Sequence, residues 1–401
     1  MQNQARRRSD EFVPSYIPLL DTMATVDCFN CPLWTVWKIP ILRGFFPIFD
    51  LKIYILTVYK KNGMIYLLQL NQYHFSKEVF PLCINNNTSA TILQDDFHGR
   101  ENPWRAKKVA NEYLSLAYEK INPAKAQRLR DCSSQLIFKK YSDGSRKLHS
   151  MNSCRVRLCP VCTWRRSLKT YADNMKLFSY VDSDNSKYKY ILLTLTEKNC
   201  AGRDLSKRID ALFYAWKLFA KTKPFKSAVK GWFRGFEVTH NVDYLSKEYD
   251  TYHPHFHVVL VVSKSYFTSR YYLSHDKWVE LWQNALDVDY KPVVDVRKID
   301  CMADTKAVSE VSKYAVKDSD FIIYDDWNLT EDAVSVLDHA LANRRLIAYG
   351  GILKTAKNKL NIDDSDNADL VHVSDTEIGG DDFVLEFYFW HTGYRQYIQK
   401  E

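Results

Sequence analysis

The chain has 401 residues, is 46% hydrophobic and 14% aromatic, and contains only 12 Gly and 12 Pro, which excludes a low-complexity tail and indicates an ordered globular protein. The net charge of +8 is uneven: residues 100–176 hold 18 Lys/Arg against 6 Asp/Glu, whereas 363–382 hold eight acidic residues and no Lys or Arg. The basic stretch suits either a polyanion partner or a solvated face, and the acidic one reads as a solvated loop.

Residues 1–91 form an N-terminal extension of unassigned role, rich in aromatics and Ile/Leu and closed by a polar Asn/Thr/Ser stretch. Cys28 and Cys31 are an isolated CxxC, best read as chance without a second pair nearby. The most apolar stretch, 33–59, is interrupted by charged residues and prolines, poor for a span of about 20 apolar residues. No secretory signal is visible, so a soluble, intracellular protein is expected.

Residues 92–180 read as a basic DNA-binding region with a helix over 103–119 and a second, basic helix over 164–178. Between them lie Cys132, Cys154, Cys159 and Cys162. Thiolates at such spacing suit a tetrahedral structural zinc, with Cys132 or His149 completing the set. Free buried cysteines are the competing reading.

Residues 181–325 show strands at 188–196, 231–239, 255–262 and 292–299, and helices at 204–221, 276–286 and 305–317. Adjacent strand pairs favour an α+β fold, an antiparallel sheet flanked by helices. The remainder, 326–401, reads as a helical and acidic C-terminal region with helices at 330–342 and 345–360 and a final strand near 383–390.

Alternation along a strand puts His253, His255 and His257 on one face, with Phe256 and Val258 on the other. Two imidazoles at i and i+2 converge on a divalent ion if a neighbouring strand adds a donor, and Glu237 is that candidate. Helical spacing puts Glu310, Tyr314 and Lys317 on one face, where a tyrosine nucleophile, a carboxylate base and a cation would sit together. Taken alone, such a face is more often merely solvated.

Together these motifs resemble the plasmid rolling-circle replication initiators (Rep proteins) of the HUH endonuclease superfamily, single-tyrosine type. The resemblance rests on Leu193-Thr194-Leu195-Thr196, on His255-Phe256-His257, on Lys313-Tyr314 through Lys317-Asp318, on Cys159-Pro160-Val161-Cys162 with Arg165-Arg166, and on residues 345–351, in that family's order. It covers residue 92 to the end and implies the HUH, RRM/ferredoxin-like topology. It also implies a bacterial cytoplasmic endonuclease and strand transferase using Mg2+ or Mn2+ at His255, His257 and Glu237. Tyr314 would attack the plasmid double-strand origin, hold the 5′ phosphate and free a 3′-OH; Glu310 would activate water at termination, with Lys317 beside them. Arg155, Arg157, Arg165, Arg166 and Lys169 are the candidate DNA contacts, and host helicase, polymerase and single-strand-binding protein the expected partners. Two features depart from the family pattern. Residues 1 to about 90 have no counterpart, being either an added domain or an extension ahead of a start at Met64, and His253 is an extra histidine. The alternatives are an HUH transposase or relaxase, or a non-catalytic zinc-stabilised DNA-binding regulator.

Overall fold

The computed structural model describes the backbone at 54–61, 64–72, 96–97 and 100–101, and residues 91–94, 103–183, 187–299, 308–309, 312, 315–364, 367–373 and 382–400. The chain divides into two compact units, Met1–Asn85 and Asn86–Glu401. In the first, β1 (Tyr54–Lys61) and β2 (Met64–Gln72) form an antiparallel hairpin. Cys28 and Cys31 lie outside the described residues.

The second unit opens with a short hairpin, β3 (Asp96–Phe97) and β4 (Arg100–Glu101), then α1 (Trp104–Ile121) and α2 (Pro123–Asp131). Asn122 separates the two helices: its extended backbone ends α1, and its side chain accepts from Lys125 N to cap α2, which begins with Pro123. Next come β5 (Gln135–Tyr141), β6 (Arg146–Met151) and α3 (Pro160–Asp182). Cys159 caps α3, its sulfur accepting from Cys162 N, and Pro160 supplies the first helical residue.

The chain continues through β7 (Tyr188–Thr196), β8 (Cys200–Ala201), α4 (Gly202–Phe219), α5 (Lys223–Ala228), β9 (Val229–Asn241), β10 (Thr251–Ser263), α6 (His275–Leu286) and β11 (Val294–Ile299). It ends with α7 (Trp327–Leu341), β12 (Ile347–Gly351), α8 (Ile352–Lys359), β13 (Phe383–His391) and β14 (Gln396–Lys400).

The fold is α+β. A central antiparallel sheet runs β11-β7-β10-β9-β12, with β8 also pairing to β10. One face packs on α4 and α6, where Phe256 meets Phe213, Phe236, Trp216 and Trp282. On the opposite face Val259, Val261 and Phe233 pack with Leu177 and Phe178 of α3 and Leu353 and Ala356 of α8. Aromatic burial of this density supplies much of the apolar area that offsets chain entropy.

A second antiparallel sheet, β14-β13-β5-β6, joins residues 383–400 to 135–151. Tyr397 fastens it, its hydroxyl donating to Ser133 O at 2.7 Å, while Trp390 N donates to Ser134 O at 2.8 Å.

The helix expected over 345–360 is instead β12 followed by α8. Gly350 lets the backbone lie against Trp232, whose ring would stand 2.2 Å from an added Cβ. Gly351 takes φ +58° at the strand-to-helix corner, and Tyr349 stacks on Phe233 at 4.9 Å. Close strand packing overrides the helical spacing there. Strands β5 and β6 have no counterpart in the sequence reading.

Candidate metal centres and the segment beside them

β10 is the third strand of the central sheet, so its histidines face two flanking strands. His255 sits opposite Glu237 of β9 and Thr196 of β7, and His257 opposite Gly235 and Thr194. The expected alternation holds: the phenyl ring of Phe256 is fully buried on the face covered by α4 and α6, while His257 is partly open on the other.

The imidazoles are oriented through their Nδ1 atoms. His255 Nδ1 donates to His253 O at 3.0 Å, and His257 Nδ1 contacts Thr194 Oγ1 at 3.2 Å. Both Nε2 atoms therefore turn toward Glu237, at 3.6 and 3.1 Å from Oε2. Burial pushes the Glu237 carboxyl up, but hydrogen bonds and charge from His255 and His257 outweigh it and hold the group well below the usual carboxylate range. The three ligand atoms lie within 4.8 Å of one another, the spacing of donors about one divalent ion. Three protein donors leave coordination positions for water or substrate. His253 shares the strand face, its ring 5.3 Å from that of His255, but it is not in the converging set.

The other end of this arrangement is the segment after residue 314. Glu310, Lys313 and Tyr314 lie outside the described residues. Of the helix expected over 305–317, Val308, Ser309 and Ser312 are helical, and Ala315 and Val316 form a bend. Val308 is buried with Val259 and Val261 on the histidine side of the sheet, and Ser312 Oγ accepts from Asn174 Nδ2 at 3.0 Å. Beyond the end of β12, Val238 N donates to Ala315 O at 2.8 Å, one residue from Glu237. Lys317 Nζ lies 3.7 Å from Glu237 Oε1. Two further contacts hold the segment. Lys107 of α1 pairs with Asp318 at 2.8 Å, and His240 Nδ1 donates to Asp320 O at 3.0 Å. Sequence reasoning missed Thr194, Asn174 and His240 as supports, because only the strand register and the packing of α3 bring them in.

Cys132, Cys154, Cys159 and Cys162 converge in the second centre. Their sulfurs are 3.6 Å apart for Cys132–Cys159 and Cys132–Cys162, and 3.8 Å for Cys154–Cys162. A tetrahedron with metal–sulfur bonds of about 2.3 Å has edges of roughly 3.8 Å, whereas a disulfide would need about 2.05 Å. All four are buried, so Cys132 rather than the exposed His149 supplies the fourth donor. Backbone N–H groups of Cys154, Arg155, Val156 and Cys162 point at the sulfurs at 3.4–3.5 Å. Hydrogen bonds from the other three cysteines and from Arg155 N hold the Cys162 thiol well below its ordinary value. Lys108, buried beside them, donates to Cys132 O at 2.6 Å and Arg130 O at 2.7 Å.

Of the five basic residues expected to meet DNA, Arg165 and Arg166 are turned inward, Arg157 and Lys169 are half-buried and Arg155 is exposed. Arg165 is 6% exposed and donates to Leu370 O and Val371 O, and Arg166 is 3% exposed. Burial lowers the Arg165 pKa to about 10. These two guanidiniums are therefore not placed to meet a phosphate backbone; Arg165 holds the C-terminal segment. Lys169 pairs with Asp173, Arg155 donates to Ala368 O, and Arg157 donates to Arg344 O.

Comparison with known proteins adds the family. The replication protein family's sequence model matches residues 145–398. A Protein rep from Bacillus amyloliquefaciens is 37% identical over 344 residues, covering 77% of this chain and 98% of the relative. Others from a Bacillus species (39% over 271 residues; 62% of this chain, 85% of the relative) and Streptococcus pneumoniae (32% over 296; 72% and 89%) are similar. No solved structure matches. The order of motifs, the two donor sets and a match over most of its length agree, and the chain belongs to the Rep family of plasmid rolling-circle replication initiators.

Proposed function

We propose that this initiator nicks its plasmid double-strand origin through Tyr314 and rejoins the DNA at termination, on an HUH-type sheet. The observation that supports the reading best is the Glu237–His255–His257 set with Ala315, the residue after Tyr314, hydrogen-bonded to the neighbouring Val238. One peptide unit, about 3.8 Å between α-carbons, joins Tyr314 to that anchor.

Bound Mg2+ or Mn2+ would polarise the scissile phosphate and favour the charge it gains. Tyr314 Oη gives up its proton as it attacks phosphorus, the 5′-phosphotyrosine bond forming as the P–O3′ bond breaks, and the departing oxygen takes up a proton in turn to become the 3′-OH primer, so the exchange is proton-neutral. Lys317 contributes positive charge beside Glu237, and Glu310 activates the terminating water. Zinc fits the four thiolates, where no open position remains, so its role there is structural. Host helicase, polymerase and single-strand-binding protein would extend the primer. No helix among the described residues is long and apolar enough to cross a membrane.

The test is incubation with end-labelled origin single strand and Mn2+ followed by denaturing electrophoresis. Wild type should form a covalent adduct and Tyr314→Phe none; intact DNA with both would refute nicking. Glu310→Ala should keep the first nick and accumulate unterminated product, and loss of the first nick would move Glu310 into the primary chemistry.

A further inference from the structure

A cavity of about 370 Å³ lies at the β12 edge of the central sheet, lined by Arg157, Arg344, Arg345, Ile347, Tyr349 and Asp364 among others. Its charged lining is three arginines and one aspartate. Ile347 and Tyr349 alternate onto the face that carries Phe233 and Val259, which is also the face of His255, His257 and Glu237. Ile347 pairs with Gly235, two residues before Glu237 on that face. Strand rise and spacing put their α-carbons roughly 8 Å apart.

A polar chain links the cavity to the segment that precedes Tyr314. The Tyr349 hydroxyl donates to Asn174 Oδ1 at 3.0 Å, and Asn174 Nδ2 donates to Ser312 Oγ at 3.0 Å. The cavity already holds one anion. Asp364 Oδ1 accepts from Arg345 at 2.9 Å and from Lys357 Nζ at 3.2 Å. Asp364 stands near the start of the acidic stretch 363–382. Arg345 and Asp364 are both more than half exposed at their side chains, and a solvated pair of this kind is weak enough to exchange.

We propose that this cavity is a phosphodiester subsite for the DNA strand running to or from the scissile position, and that Asp364 occupies the place of a backbone phosphate until DNA displaces it. A phosphate oxygen would take the position of Asp364 Oδ1 between Arg345 and Lys357, with Arg157, which also lines the cavity and donates to Arg344 O, adding positive charge. The subsite rests on the nicking reading for its purpose but not for its detection, because strand binding can be measured without cleavage.

The probe is a fluorescein-labelled thymidine 20-mer, titrated with the full-length protein by anisotropy across a salt series, in buffer with no added Mg2+ or Mn2+ and no chelator so that thiolate-bound zinc stays in place. Each single-strand phosphate contact contributes about 0.7 to the slope of log K against log salt. Arg157→Gln/Arg345→Gln should weaken binding about ten-fold near 0.1 M salt and lower the slope by about 1.4. Asp364→Asn should bind more tightly than wild type, a gain that misfolding cannot mimic. Arg345→Lys should retain most of the slope. An unchanged slope in the double variant, no tightening in Asp364→Asn, or no binding by wild type would each overturn the subsite. Failure of the nicking reading shows up elsewhere, as the absence of a wild-type covalent adduct with Mn2+.

Discussion

The two donor sets of this protein are built on opposite plans. The four cysteines are buried on every side, drawn from the end of α2, the loop before α3 and the first turn of α3, and their sulfurs accept backbone N–H groups. The Glu237, His255 and His257 set is carried on two neighbouring strands, aimed by contacts to Nδ1, and partly exposed at His257. A closed thiolate shell suits an ion that holds structure, whereas a half-open carboxylate and imidazole shell suits one that meets a substrate.

Cys159→Ser tests the closed half and carries the largest expected effect. It should abolish stoichiometric zinc in thiol-protected protein and lower Tm by more than about 10 °C, because metal binding there is folding free energy. Zinc-free wild type that melts like the untreated protein would reduce the cluster to four buried thiols.

His257→Ala tests the open half. Adduct formation should fall by at least about 100-fold while Tm stays within a few degrees of wild type. A melting loss as large as that of Cys159→Ser would erase the contrast between the two centres.

The smallest expected effect sharpens the contrast through Asp320, which ends the segment docked beside Glu237. Burial raises its carboxyl to about 6, against contributions from the Lys317 backbone and charge that lower it. An unfolded aspartate titrates near 3.9. The folded chain therefore holds this proton more tightly, and stability falls as pH rises from about 4 through 6, then stays level. Asp320→Asn should flatten that decline and, after allowance for partial solvation, stabilise the protein at pH 7 by about 1–2 kcal/mol. Denaturant unfolding at pH 4 and pH 7 measures it, and a variant with the wild-type pH dependence would dismiss Asp320 as the cause.

The central strands and their donors were legible where alternation is unbroken. The 188–196 strand matches β7, and β9 and β10 lengthen the expected strands by a few residues, so that Glu237 falls opposite His255. What stayed hidden depends on distant partners. Lys139, Lys140, Arg146 and Lys147 break the apolar alternation of the β5–β6 hairpin, and β13, which covers the other edge of β5, lies some 240 residues later. A separation of 205 and 206 residues likewise conceals Arg165, whose partners are the carbonyls of Leu370 and Val371. Tyr349-Gly350-Gly351 fits helical spacing, and only the approach to Trp232 and Phe233 makes it a strand.

The pairing of β13 with β5 also imposes an order of events during synthesis. All four cysteines have been made once residue 162 is polymerised, but the neighbour of β5 begins only at residue 383. At about 5–20 residues per second, roughly 10–40 s separate the two. For that interval the nascent chain carries β5 with one edge unpaired, a template for wrong partners. Strands made long after β5 are thus the ones that close the sheet beside the first centre to be completed.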